Sequence, residues 1–222
     1  MKKIKYIMFD FDNTLVDSLK FWYGSIDREA FIHFNSKVDK SFKTARRGKT
    51  NHGIVECLVE HLDNKVSVEE AERFWHNRMI YYYANKVKMI KGATEFLELL
   101  NEMGYKLVLA SATPMSVLSV AIDHFGLRKY FKKIYTEEMF NLQKSNPKFY
   151  ELLLKDLKIS ADEFFVFEDS CGSIDAAGSL GIKSCAFVHK FNRYRVKTLS
   201  ENNLLVLKNY KTKKLKTLPM FN

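Results

Sequence analysis

Asp10-Phe11-Asp12-Asn13-Thr14 closes the first apolar run of the chain and sets two carboxylates one residue apart. Ile4, Tyr6-Ile7-Met8-Phe9 and Phe11 have the composition of a strand. Asp10 and Asp12 therefore project at its carboxyl end, the edge where open α/β sheets build their sites. Carboxylates this close suit a metal ion, or a division of labour in which one is ionised and the other carries a proton. Acids after a strand also serve as plain turn and cap residues, so the pair gains meaning only from partners elsewhere in the chain.

Three other stretches supply such partners. Ser111 follows the buried run Leu107-Val108-Leu109-Ala110, Lys144 lies in Gln143-Lys144-Ser145-Asn146-Pro147, and Glu168-Asp169-Ser170 follows Phe164-Phe165-Val166-Phe167. Helical patterns at 93–103, 115–125, 147–157 and 174–180 alternate with these strands and with further ones at 133–135, 184–188 and 204–207. That alternation specifies an α/β fold of βαβ units, with a parallel sheet and right-handed crossovers. The strand ends then converge on one edge.

Residues 17–86 break the alternation and read as all helical. Leu19, Trp22, Tyr23, Ile26, Ala30 and Phe31 have near-helical spacing, as do Val55, Leu58, Val59 and Leu62. Ser67 three residues before Glu70 opens a helix that runs through Trp75 and Met79 towards Tyr83. The expected organisation is a core of 1–16 and 87–222 with a helical unit, 17–86, inserted at the site edge as a lid would be.

Three or more acids beside one lysine need a compensating cation. Oxygen-only ligands of high charge suit Mg²⁺, which takes one or two carboxylates and a phosphate oxygen. Ser111 and Lys144 can donate to the remaining phosphate oxygens, which outlines a phosphoryl-transfer site.

Composition narrows the alternatives. Hydrophobic content of 46% and aromatic content of 14% over 222 residues are globular values and exclude wholesale disorder. No apolar run reaches membrane-spanning length, no cleavable leader follows Met1, and a cytoplasmic protein is expected. Cys57, Cys171 and Cys185 are too widely spaced for a disulfide framework or a zinc site. The net charge of +10 suits nucleic acid or a small anionic substrate. Its densest run, Lys208, Lys211, Lys213, Lys214 and Lys216, reads as a solvated terminal face, and no nucleic-acid-binding motif accompanies it.

Asp10-Phe11-Asp12-Asn13-Thr14, Ser111, Lys144 and Glu168-Asp169, in this order and at these strand ends, resemble the four motifs of the haloacid dehalogenase superfamily. The helical insertion is similar to its C1-type cap. Leu109-Ala110-Ser111-Ala112-Thr113 with Glu168-Asp169-Ser170 resembles the β-phosphoglucomutase and phosphoglycolate phosphatase branch. The resemblance implies a Rossmann-like core and an Asp10 nucleophile that forms an aspartyl-phosphate. It implies that Asp12 protonates the leaving oxygen and then deprotonates water. Asp10, the Asp12 carbonyl and Asp169 would hold Mg²⁺ with support from Glu168, while Ser111 and Lys144 fix the phosphoryl oxygens. Thr14 would orient the Asp10 loop beside the phosphate, or serve as a plain turn residue. Dehalogenases lack an acid at the Asp12 position because a halide leaves unprotonated, so phosphate esters are favoured. The chain departs from the family pattern at Asn13 (usually Gly), Lys91 and Ser145 (often Pro), and Gly172-Ser173, where the expected Gly is shifted.

Specificity is expected from the basic stretch 43–53, whose Arg46, Arg47, Lys49 and His52, with Gly48 and Gly53 as hinges, could touch substrate or stay in solvent. Trp22, Trp75 and Tyr81-Tyr82-Tyr83 are expected to pack inside the insertion. The function this implies is a Mg²⁺-dependent phosphatase acting on a small phosphorylated metabolite. The alternatives are a sugar-phosphate mutase and, from another class, a non-catalytic nucleic-acid-binding protein, for which paired acids facing phosphate would have no use.

Overall fold

The computed structural model describes residues 4–189, 205–210, 215 and 218. Its centre is a parallel six-stranded sheet in the order β3-β2-β1-β4-β5-β6. The strands are β1 (Tyr6–Phe9), β2 (Lys106–Ser111), β3 (Phe131–Thr136), β4 (Phe164–Glu168), β5 (Lys183–Phe187) and β6 (Leu205–Leu207). Leu204 and the lysines at 211, 213, 214 and 216 lie outside the described residues; Lys208 is exposed.

Two-residue periodicity sorts the strands onto two faces. Ile7, Phe9, Leu107, Leu109, Phe165 and Phe167 face one apolar cluster, which α5 (Ala93–Glu102) and α6 (Met115–His124) complete. Met8, Val108, Ala110, Phe164 and Val166 face the other, closed by α8 (Pro147–Leu157) and α9 (Cys171–Ser179). A sheet covered on both faces needs near-continuous apolar strands, and β1 and β4 are such runs. The strand order reverses between β1 and β4, so their carboxyl ends flank the crevice where ligands bind in open α/β sheets.

Between β1 and α5 the chain is helical: α1 (Ile26–His33), α2 (Phe42–Ala45), α3 (Asn51–His61) and α4 (Val68–Asn85). A π-helical turn, Phe21–Ser25, precedes α1, and Tyr23 inside it leaves helical geometry, so 18–33 is not one continuous helix. The crossings into and out of the insertion are bonded to each other. Asp17 donates its N–H to the Lys88 carbonyl (2.9 Å) and Ile90 donates to Leu15 (2.8 Å). The insertion also shares its apolar cluster with the sheet: Leu58, Trp75 and Tyr83 belong to the cluster of Phe9, Phe11 and Leu118.

The basic stretch is more ordered than its composition suggests. Thr50 caps α3, its Oγ1 accepting from the Gly53 N–H at 3.1 Å, so Gly53 lies within a helix rather than at a hinge. Gly48 has φ +73° and makes the turn between α2 and α3. Among the described residues, no helix is long and apolar enough to cross a membrane.

Candidate active site

β1 ends by delivering Asp10 into the interior. Its N–H donates to the Phe167 carbonyl at 2.9 Å, which ties it to the end of β4. Lys144 arrives from the opposite side on the loop between α7 (Glu137–Phe140) and α8. Asn141 in left-handed geometry ends α7, the Glu137 carboxylate accepts the Lys144 N–H at 2.7 Å, and Asn146 with Pro147 starts α8. Lys144 is 3% exposed. It donates to Asp10 Oδ1, to Glu168 Oε2 at 2.8 Å and to the Ala110 carbonyl at 3.2 Å. Glu168 Oε1 turns back onto its own loop and accepts the N–H groups of Asp169 (3.1 Å) and Ser170 (3.0 Å).

Carboxylate oxygens of Asp10, Glu168 and Asp169 lie within 4.8 Å of one another. Burial, and then the Glu168 charge, push the carboxyls of Asp10 and Asp169 well above the usual carboxylate range, with Lys144 pulling the other way. Burial works against the Lys144 charge too, but Asp10 and Glu168 outweigh it and hold the ammonium protonated. Three acids facing one ammonium carry excess negative charge, and Asp10 Oδ2 is buried without a hydrogen-bond partner. A carboxylate oxygen left bare in such a cluster is a ligand position for a hard cation.

Asp12 has different company. Its Oδ1 accepts from Ser18 Oγ (2.5 Å) and from the Tyr83 hydroxyl of α4, and its Oδ2 accepts from Thr113 Oγ1 (2.7 Å). Asn13 holds the loop in left-handed geometry (φ 61°), donates its N–H to the Val16 carbonyl and accepts the Leu19 N–H on its side chain. Asn tolerates this left-handed backbone angle better than most residues other than glycine.

Ser111 ends β2, fully buried, and its Oγ accepts the Thr113 N–H at 3.0 Å. Thr14 is also fully buried, with an unpartnered hydroxyl and a carbonyl that accepts from Tyr210 at 2.9 Å. Neither Thr14 nor Ser111 is among the residues that line the cavity beside the acids. Ser145 and Gly172, two departures from the family motifs, meet each other: a Cβ on Gly172 would lie 3.3 Å from that of Ser145.

A cavity of about 560 Å³ opens between the insertion and this edge. Asp12, Thr113, Asp169 and His189 are among the core residues on its wall, and Trp22, Lys43, Arg47 and Lys49 line the insertion side. That volume suits a small ligand. Arg46 also reaches the wall, but its guanidinium is buried, bound to Asp27 at 2.5 Å and to the Trp22 carbonyl, and lies among Tyr23, Phe42 and Trp75. It holds the insertion together. His52 points elsewhere, exposed and paired with Glu72 (2.5 Å) and Glu56 (3.3 Å), and does not line the cavity. Arg46 ends α2 and His52 lies in the first turn of α3, so the two cations meet different surroundings.

Residue patterns passed over four neighbours of the acids. Tyr83 is expected only to pack, and nothing in the sequence assigns Ser18, Thr113 or His189, the last 2.8 Å from Asp169, a place beside the acids. A buried tyrosine needs a partner for its hydroxyl, and that was the available signal for Tyr83.

The site thus defines a class: an α/β enzyme whose acids, lysine and hydroxyls gather at the strand ends beneath a helical insertion. The family pattern of haloacid dehalogenase-like hydrolases matches residues 7–187, and the chain belongs to that family. It is 26% identical over 187 residues to the phosphorylated carbohydrates phosphatase of Thermotoga maritima, across 84% of this chain and 86% of that protein. It is 23% identical over 197 residues to a phosphoglycolate phosphatase of Pseudomonas savastanoi pv. phaseolicola, across 86% and 72%. The crystal structure of β-phosphoglucomutase from Clostridium difficile shares the fold, with a TM-score of 0.71 over 98% of this chain and 97% of that one, at 17% identity.

Proposed function

We propose that this chain is a Mg²⁺-dependent phosphatase that hydrolyses a small phosphorylated metabolite through an aspartyl-phosphate on Asp10. The observation that carries the reading is the juxtaposition of a buried carboxylate fixed by Lys144 with a second, hydroxyl-bound carboxylate on the cavity wall. The first suits a nucleophile and the second an acid–base group. The names of the two relatives above, both phosphatases of small phosphorylated compounds, support the same reaction.

The bare Asp10 Oδ2 and the all-oxygen donor set fit Mg²⁺. Asp10, Asp169 and the Asp12 carbonyl would hold the ion, with Glu168 fixing their loop. When bound, Mg²⁺ supplies the positive charge that lets a carboxylate approach a phosphate dianion. Asp10 attacks phosphorus, and the bond to the leaving oxygen breaks as Asp12 delivers its proton there. Asp12 then takes a proton from the water that attacks the aspartyl-phosphate, which releases phosphate and restores the Asp10 carboxylate. Lys144 and Ser111 would steady the phosphoryl oxygens. Residues 17–86 would act as the cap, with Lys43, Arg47 and Lys49 meeting a second anionic or polyhydroxyl part of the substrate.

The test is phosphate release from p-nitrophenyl phosphate with Mg²⁺. Release should stop with EDTA and with Asp10→Asn, and turnover that survives Asp10→Asn would sink the reading.

A further inference from the structure

We propose that Tyr83 of the insertion is a positioning residue for Asp12, fixing which carboxylate oxygen exchanges the proton with the leaving group. The proposal rests on Asp12 being the acid–base group.

Hydrogen-bond polarity forces the arrangement. The Trp22 indole N–H can only donate, and it donates to the Tyr83 hydroxyl at 2.9 Å. Tyr83 must accept there, and its contact with Asp12 Oδ1 is far shorter than the 3.4 Å to Thr113 Oγ1, so its single proton goes to Asp12. Ser18 Oγ donates to that same oxygen at 2.5 Å. Oδ1 is then occupied by two donors, whereas among the described residues Oδ2 accepts from Thr113 alone, at 2.7 Å, and keeps a lone pair. Oδ2 is therefore the oxygen that carries the transferable proton. When that proton passes to the leaving oxygen, the electrons of the breaking P–O bond go to the same oxygen. The carboxylate left behind keeps its three hydroxyl donors, and Tyr83 neither gains nor loses a proton.

The geometry around Tyr83 suits a fixed donor. It is 2% exposed, its ring lies 5.9 Å from that of Phe11, and α4 packs against α6 of the core. Asn51 ties the insertion to the core nearby, donating to the Ala112 carbonyl at 2.8 Å. Ser18 lies on the entry to the insertion and Thr113 on the core, so Tyr83 is the donor that brings α4 to the acid.

A pair of esters of similar shape but different leaving-group basicity tests this. Phenyl phosphate needs the proton at its leaving oxygen, and p-nitrophenyl phosphate needs it far less. Tyr83→Phe should lower kcat about tenfold on phenyl phosphate and under about threefold on p-nitrophenyl phosphate, with KM little changed, as for one lost hydrogen bond to a charged group. Trp22→Phe, which keeps the buried tyrosine, should shift the two esters in the same direction by less, and it serves if Tyr83→Phe does not fold. Equal loss on both esters, or no loss on either, in the variants that fold would overturn the role of Tyr83. Asp12→Asn is the control. If it too is indifferent to the leaving group, the acid–base reading of Asp12 falls and the proposal falls with it. If it discriminates and the Tyr83 and Trp22 variants do not, only the proposal falls.

Discussion

Asp10 and Asp12 leave the same strand one residue apart, yet the sheet-edge half of the site and the insertion-facing half treat them in opposite ways. Asp10 is buried against an ammonium and two further carboxylates, and one of its oxygens is bare. Asp12 stands on the cavity wall and receives three neutral hydroxyls. Charge fixes the first half, and directed hydrogen bonds fix the second. The core alone builds the charged half, whereas the hydroxyl half needs Tyr83 from the insertion. Identical side chains acquire different chemistry from what the fold brings to each of them.

The largest effects should fall on the charged half. On the proposed mechanism Asp10 is the attacking group, and Asp10→Asn should lower kcat by about 10⁴-fold or more, read as phosphate release. Asp12→Asn should cost about 10²- to 10⁴-fold, because it removes the proton carrier and turns an amide N–H towards a hydroxyl donor. A loss equal to that of Asp10→Asn on every ester would erase the contrast between the halves. Lys144→Met leaves Asp10 and Glu168 buried without their cation and should destabilise the fold by about 3–5 kcal/mol, read from urea unfolding. Mg²⁺ at a hundredfold excess over its Kd should stabilise the protein by about 2.7 kcal/mol, read as a rise in Tm that chelation reverses and Asp169→Asn removes. The smallest effect belongs to the rim. Lys49→Ala should raise KM about tenfold for a substrate with a second anionic group and leave kcat unchanged.

Much of the charged half is legible in the sequence, because strand ends in a parallel sheet have one place to go. The apolar runs at 6–9, 107–110 and 164–167 locate the strands, Asp10, Glu168 and Asp169 follow from their ends, and Lys144 comes from the loop before the α8 start signal. Helix α8 begins and ends where Pro147 and Leu157 place it. The hydroxyl half is less legible. Tyr83 sits in a run of three tyrosines, two of them buried, and only the packing of α4 shows which one reaches the acid. Arg46 and His52 show how a cation hides its role: sequence displays the charge, but the carboxylates that claim it lie on other elements, Asp27 on α1 and Glu72 on α4. Thr14 has a similarly hidden partner, since its carbonyl accepts from Tyr210 far along the chain.

The stitched crossings at Asp17–Lys88 and Leu15–Ile90 have a mechanical consequence. Two separate linkers would let the insertion slide and twist as well as tilt. Joined by backbone hydrogen bonds, they form one short ribbon and act as a single pivot. Because Ser18 lies one residue beyond that ribbon and Asp12 a few residues before it, a tilt about the pivot would move their contact least and the outer rim of the cavity most.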